Sequence, residues 1–260
     1  MTDRSAHILL LAGTFEARNL AKQLPEAFPA RRITASFAGA VKDLPDLGVP
    51  TRTGGFGGTE GLVRFCRDEG VRLIIDATHP FAAQMSRQAA QAASELGISM
   101  LRLDRPAWDP VPADTWIRVP SFDLAVQALP EDACAFLAVG RKEIGRFTSR
   151  SDLRAVVRMI EPPEHDLPRQ WDLILARPPR IAEEEIALFR EKDISHVVTK
   201  NSGGKRAFAK IEAARQLGLQ VIMIDRPELP ACRTADSVEA VLEQVSQMLG
   251  KCAPGLPQDV

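Results

Sequence analysis

Residues able to do chemistry occur in this chain where apolar runs stop. Asp76-Ala77-Thr78-His79-Pro80 follows Leu73-Ile74-Ile75. The His79 imidazole can donate to a ligand or move a proton near neutral pH. It can equally cap the helix whose first turn Pro80 suits. Thr199-Lys200-Asn201-Ser202-Gly203-Gly204-Lys205 follows Val197-Val198 and sets two ammonium groups beside a Gly-Gly pair. Backbone N–H groups in such a turn suit an anion. Gly140-Arg141-Lys142 and Arg177 end two further apolar runs. Any one of these cations is explained by solvation; three cationic strand ends in one half of the chain suit a polyanionic ligand.

The first half offers glycine instead. Gly13-Thr14 ends Ile8-Leu9-Leu10-Leu11-Ala12 and opens a helix, whose amino end favours phosphate, and Arg18 adds charge. Glu16 and Arg18 break the GxGxxG pattern, so an ordinary tight turn is the alternative. At the end of the second strand, where NAD-binding folds place an acid on the ribose, this chain has Ser36. A carboxylate there would repel the extra phosphate of NADP, so its absence favours NADP. Gly54-Gly55-Phe56-Gly57-Gly58 allows close backbone approach to a ligand at Gly55, or serves as a flexible surface loop.

The elements that must position these residues are legible as alternating patterns. Short apolar runs predict strands at 7–12, 33–37, 73–77, 99–103, 135–139, 155–160, 173–176, 196–199 and 220–224. Their continuity, rather than alternation, suits strands covered on both faces. Helical patterns fall at 15–24, 61–69, 82–96, 183–191, 207–217 and 237–249, and this order predicts parallel sheets wrapped by helices. Leu96-Gly-Ile-Ser-Met-Leu-Arg-Leu-Asp-Arg-Pro106 returns as Leu217-Gly-Leu-Gln-Val-Ile-Met-Ile-Asp-Arg-Pro227. At the same offset Thr78 falls on Thr199. Gly13 also resembles Gly140, so each half is expected to run strand, Gly-turn, helix. The expectation is an α/β protein of two Rossmann-like domains with parallel sheets and a ligand cleft between them. Residues 1–115 form the nucleotide side and 116–250 the substrate side, with 251–260 a loose tail.

The chain has 260 residues, 45% hydrophobic and 26% charged, with a formal net charge of −1. That balance permits a sizeable core and gives no global field for nucleic acid. The four cysteines form no CxxC pair and have no His at zinc spacing. No metal site is expected, and reduced thiols imply a cytoplasmic protein. The N-terminal apolar run has strand length, too short to cross a membrane.

Taken together, ILLLAGTFEAR, GGFGG, IDATHPFA, LRLDRP, AVGRKE, ARPP, VTKNSGG and IMIDRP resemble the precorrin-6A reductase family of cobalamin biosynthesis, which includes a cobalt-precorrin-6A branch. The resemblance spans roughly residues 7–245. It implies NADPH-dependent reduction of one double bond of a polycarboxylate corrin precursor, precorrin-6A, to give precorrin-6B. Carried over by motif, Gly13, Thr14, Arg18, Ser36, Thr78 and His79 serve the cofactor. Arg141, Lys142, Lys200, Asn201, Ser202, Gly203 and Gly204 serve the substrate side, or in part the nicotinamide end of the cofactor, and the substrate carboxylates suit Arg141, Lys142, Arg177, Lys200 and Lys205. His79 and Lys200 are candidates for supplying the proton, with solvent and the substrate's own carboxylate as the alternatives. Precorrin-6A is the implied partner molecule, with neighbouring pathway enzymes as conceivable protein partners. The competing readings are a nucleotide-free tetrapyrrole enzyme like uroporphyrinogen-III synthase, and a non-catalytic two-lobed anion binder.

Overall fold

A computed structural model describes residues 6–37 and 47–249. The predicted tail at 251–260 lies outside the described residues. The first unit opens with β1 (His7–Ala12), α1 (Phe15–Ala27), β2 (Arg32–Phe37) and β3 (Thr51–Thr53). It continues through α2 (Gly58–Asp68), β4 (Val71–Ala77), α3 (Ala83–Leu96) and β5 (Ser99–Leu103). The second unit contains β6 (Thr115–Val119), α4 (Phe122–Ala128), β7 (Cys134–Ala138), β8 (Arg154–Met159) and β9 (Trp171–Leu175). It ends with α5 (Ala182–Glu191), β10 (His196–Lys200), α6 (Ala209–Leu217) and β11 (Gln220–Ile224). Two last elements follow, β12 (Arg233–Ala235) and α7 (Val238–Leu249).

All strand pairings are parallel. The first sheet runs β12-β5-β4-β1-β2-β3 and the second β6-β11-β10-β7-β8-β9. Each is the doubly wound order, with a switch point beside its central strand: β1/β4 in one and β7/β10 in the other. β1 shows why the apolar runs are continuous. Ile8, Leu10 and Ala12 pack with α1 and α7, whereas Leu9 and Leu11 pack with α2 and α3. Both faces are therefore covered, and each such Leu or Ile contributes roughly 1.5–3 kcal/mol by leaving water. Helices α3 and α6 end at Gly97 and Gly218, both left-handed, as the repeated phrase predicts.

The domain boundary differs from expectation. The chain leaves the first unit after Arg105 and returns to it at Glu228, so that unit holds Met1–Arg105 and Glu228–Val260, and the second holds Pro106–Pro227. The first crossing falls inside the repeated Asp-Arg-Pro, between Arg105 and Pro106, and the second directly after its other copy, between Pro227 and Glu228. Beyond the first, Pro106, Pro110 and Pro112 prevent pairing until β6, which joins β11 of the second sheet. Beyond the second, β12 joins β5, and Val238, Val241 and Val245 of α7 complete the first unit's core. Each sheet thus receives its sixth strand from the other half of the sequence.

A second difference follows Gly140. A single 3-10 turn, Ile144–Arg146, stands where the first half has α1. Gly145 inside that turn is a poor helix residue, and the chain continues through turns to β8. Buried Cys66 has its thiol pushed up to about 11 by burial, as suits an inert core thiol. Among the described residues no helix is long and apolar enough to cross a membrane.

Candidate active site

In the first unit the carboxyl ends of β1 and β4 bring Gly13-Thr14 and Thr78-His79 together. A β-carbon on Gly13 would lie 3.8 Å from both Thr78 Cα and His79 N. Thr14 is the N-cap of α1: its Oγ accepts from Ala17 N at 3.1 Å and donates to the Ala77 carbonyl at 2.9 Å. One hydroxyl therefore closes the helix and ties it to β4, leaving the amino end of α1 at the switch point. Such an end, with its backbone N–H groups and partial positive charge, suits phosphate. In the first turns, Arg18 Nε is buried without a hydrogen-bond partner, an orphaned donor that a phosphate oxygen would satisfy. Glu16 is held aside by Arg105 Nη1 at 2.7 Å. These features fit a dinucleotide.

Beneath Thr78 lies Asp76, which is 1% exposed. Its Oδ1 accepts from Thr78 N at 3.1 Å and Thr78 Oγ1 at 2.6 Å, and its Oδ2 from Ser86 Oγ at 2.6 Å. Arg102 Nε stands 3.5 Å away and supplies the countercharge. His79 Nδ1 accepts the Phe81 N–H at 3.2 Å. A neutral imidazole whose Nδ1 accepts carries its proton on Nε2. The bond from Phe81 holds the ring in the turn ahead of α3, whose N-cap is Ala82 and carries no side-chain cap.

Ser36, buried at the end of β2, accepts from Arg52 Nη1 at 2.9 Å. Gly55 is exposed, and its carbonyl accepts from Arg52 Nη2 at 3.1 Å. The sequence reading passed over both Arg52 and Asp76. The signal for Arg52 was its place two residues before the glycine loop; that for Asp76 was a lone acid inside a buried apolar strand.

In the second unit, Gly140 follows β7 and Lys200 ends β10, the strand beside it. Gly140 is left-handed, and a β-carbon there would stand 3.4 Å from Lys200 Nζ. Burial lowers the Lys200 pKa, and Glu143 opposes that shift. Arg141 is exposed and paired with Glu161 at 2.9 Å and Glu164 at 3.6 Å, so a substrate carboxylate must replace these partners. Lys142, Arg177 and Lys205 are exposed. Arg177 follows edge strand β9, two strands from β7. At about 4.8 Å per strand it is offset from the switch point by about 10 Å.

The Asn201–Gly204 loop is used differently from expectation. Asn201 is 2% exposed. Its Oδ1 accepts from Trp108 N at 2.8 Å and its Nδ2 donates to Trp108 O at 2.9 Å. Trp108 Nε1 holds the Gly204 carbonyl at 2.9 Å, and Arg226 Nε holds the Asn201 carbonyl at 3.0 Å. A β-carbon on Gly203 would fall 2.2 Å from the Pro106 carbonyl. Asn201 and Gly203 therefore shape the loop, and Ser202, also buried, returns its backbone N–H to the Lys200 carbonyl at 2.7 Å. Trp108 and Arg226 support this loop; the sequence did not reveal Trp108, which sits in a proline-rich connector.

Comparison with known proteins adds an independent line. Residues 7–246 match the family model described as precorrin-6x reductase CbiJ/CobK. The precorrin-6A reductase of Sinorhizobium sp is 43% identical over 246 residues, covering 93% of each chain. That of Mycobacterium tuberculosis (strain ATCC 25618 / H37Rv) is 45% identical over 227 residues, 86% of this chain and 90% of its own. A solved structure described as CobK precorrin-6A reductase superposes with a TM-score of 0.86 at 40% identity, covering 96% of this chain and all of the other.

Proposed function

The chain belongs to the precorrin-6x reductase family, and from that premise we propose how its two units divide the work. It is a precorrin-6A reductase of cobalamin biosynthesis. A reductase is neither the nucleotide-free cyclase nor the passive anion binder that the sequence also allowed.

The reductant is NADPH, seated on the first unit. The observation that carries this is the β1/β4 switch point, where the Thr14-capped end of α1 meets the Thr78-His79 turn. Gly13 and Thr14 present backbone to the pyrophosphate, Arg18 adds a cation, and Ser36 stands at the ribose position. When bound, the nicotinamide supplies the hydride that reduces one double bond of the macrocycle, and a proton adds to the neighbouring carbon.

The protein's part is to orient and to move that proton. His79 presents Nε2–H as a donor, held in place by the Phe81 N–H on Nδ1. Lys200 is the proton donor: its ammonium sits over Gly140 at the second switch point, and burial makes it more acidic than a solvated lysine. Arg141, Lys142 and Lys205 receive peripheral carboxylates, with Arg177 farther along the same sheet edge. The described cysteines are free, which suits a reducing, cytoplasmic setting.

Titration with NADPH and NADH, followed by nicotinamide fluorescence, tests the cofactor, and precorrin-6A turnover read by absorbance tests the whole. Folded protein that binds neither nucleotide would overturn the seat on the first unit. NADH bound as tightly as NADPH would overturn the choice of cofactor.

A further inference from the structure

We propose that Lys210 is a positioning residue for the reduction: its buried ammonium clamps Trp108, and through Trp108 the Asn201–Gly204 loop that follows Lys200. The proposal rests on the reading that Lys200 and this loop serve the substrate. Every residue in it belongs to the second unit.

Local physics argues against a lysine here. Lys210 is 6% exposed and lies in the first turn of α6. Burial penalises an ammonium, and the partial positive charge of a helix amino end penalises it again. Burial brings its pKa down to about 8; Glu185 of α5 opposes that shift, while Arg158 of β8 and Lys200 of β10 add to it. Glu185 bonds Arg158 through Oε1, and its Oε2 is buried without a hydrogen-bond partner, so its charge reaches Lys210 only through space. A methionine would fill the same place without burying a charge. Side chains that break such rules cluster where a protein does its chemistry.

The contacts of the ammonium show what it holds. Nζ donates to the Ala207 carbonyl at 2.6 Å and lies over the Trp108 ring, 5.1 Å from its centroid. That is inside the range of about 6 Å in which an aromatic face attracts a cation. The same indole meets Phe208 edge-on at 5.7 Å. Its Nε1 holds the Gly204 carbonyl, and the Trp108 backbone takes both ends of the Asn201 amide. Trp108 therefore grips the segment between β10 and α6 at its start, its middle and its end. Lys210 ties that grip to the Ala207 carbonyl just ahead of α6. Lys200 immediately precedes Asn201, so a shift of the loop moves the backbone from which the Lys200 side chain springs.

Lys210→Met tests the clamp, read by precorrin-6A turnover, NADPH titration and acrylamide quenching of Trp108 in a Trp116→Phe/Trp171→Phe background. The variant is expected to melt at or above the wild-type temperature at pH 7, because no charge is then buried at this position. Its kcat should nevertheless fall by about 10- to 100-fold, with NADPH affinity held within about twofold. Trp108, buried in the wild type, should become more open to acrylamide. Lys210→Gln, which keeps a donor for the Ala207 carbonyl without the cation, should retain part of the turnover and covers a methionine variant that does not fold. Wild-type kcat in either folded variant would overturn the proposal. So would a loss of turnover with Trp108 quenched no more than in the wild type. Lys200→Ala with wild-type turnover and substrate affinity would instead overturn the reading on which the proposal rests.

Discussion

Lys200 lies over Gly140 so closely that a β-carbon at position 140 would stand 3.4 Å from Nζ. The glycine is also held at φ +85°, where an L side chain is strained. Gly140→Ala therefore acts twice: it strains the backbone by about 1–2 kcal/mol and displaces the ammonium. The expected outcome is a modest loss of thermal stability and a fall in precorrin-6A turnover of about tenfold or more. Nucleotide affinity, which we propose the first unit sets, should hold. Turnover at the wild-type level would separate Lys200 from the reaction.

The acidity of Lys200 gives a pH test with a definite sign. Burial lowers its pKa and Glu143 raises it. A proton donor works while protonated, so kcat should fall as pH rises through that lowered value, below the range of an exposed lysine. Glu143→Gln removes the opposing charge and should move the falling limb to lower pH. Lys200→Arg, whose pKa is too high to titrate, should abolish the limb and slow the reaction. A limb unmoved by Glu143→Gln in an active enzyme would assign the proton to another group.

Asp76 is the buried hub under the Thr78-His79 turn, with Arg102 as its countercharge. Arg102 is 8% exposed, so Asp76→Asn leaves it without an anion in a poorly solvated place. The expected loss is about 3 kcal/mol, with weaker NADPH binding as the turn loosens. The double variant Asp76→Asn with Arg102→Met removes the uncompensated charge. Chemical denaturation should show stability partly restored, while nucleotide titration should show affinity still reduced. Recovery of both would make the network purely structural.

Why some of this was legible and some was not follows from what each feature depends on. β1 was readable because all six of its residues are buried, a local consequence of helices on both faces. β6 and β12 were not, being edge strands with exposed residues. The repeated Asp-Arg-Pro aligned the two halves, but nothing local says which sheet takes the segment beyond the proline. The same holds at the site. His79 and Lys200 stood out as polar groups ending apolar runs. Arg52 did not, because its meaning lies in the register of β3 against β2. Asn201 looked like a ligand group, yet its amide is used on Trp108, a contact between residues far apart in sequence.

Lys210 offers a stability test independent of substrate. Its Nζ donates to the Ala207 carbonyl at 2.6 Å and faces the Trp108 ring at 5.1 Å. Burial is the main reason its pKa falls to about 8; Arg158 and Lys200 push the same way and Glu185 opposes them. The unfolded value is near 10.4. Between those limits the unfolded chain holds more protons, so stability rises as pH increases from about 8 to about 10.4. It is lost again as pH falls back, and below about 8 the burial penalty is fully expressed. Across that window the change is about 3 kcal/mol for this one group. Lys210→Met should remove that slope. All three tryptophans, Trp108, Trp116 and Trp171, belong to the second unit, so intrinsic fluorescence reports its unfolding by urea. The difference between wild type and Lys210→Met should narrow or reverse by about 2 kcal/mol from pH 8 to pH 10. A constant difference would mean that Lys210 keeps its proton throughout, with Glu185 outweighing burial.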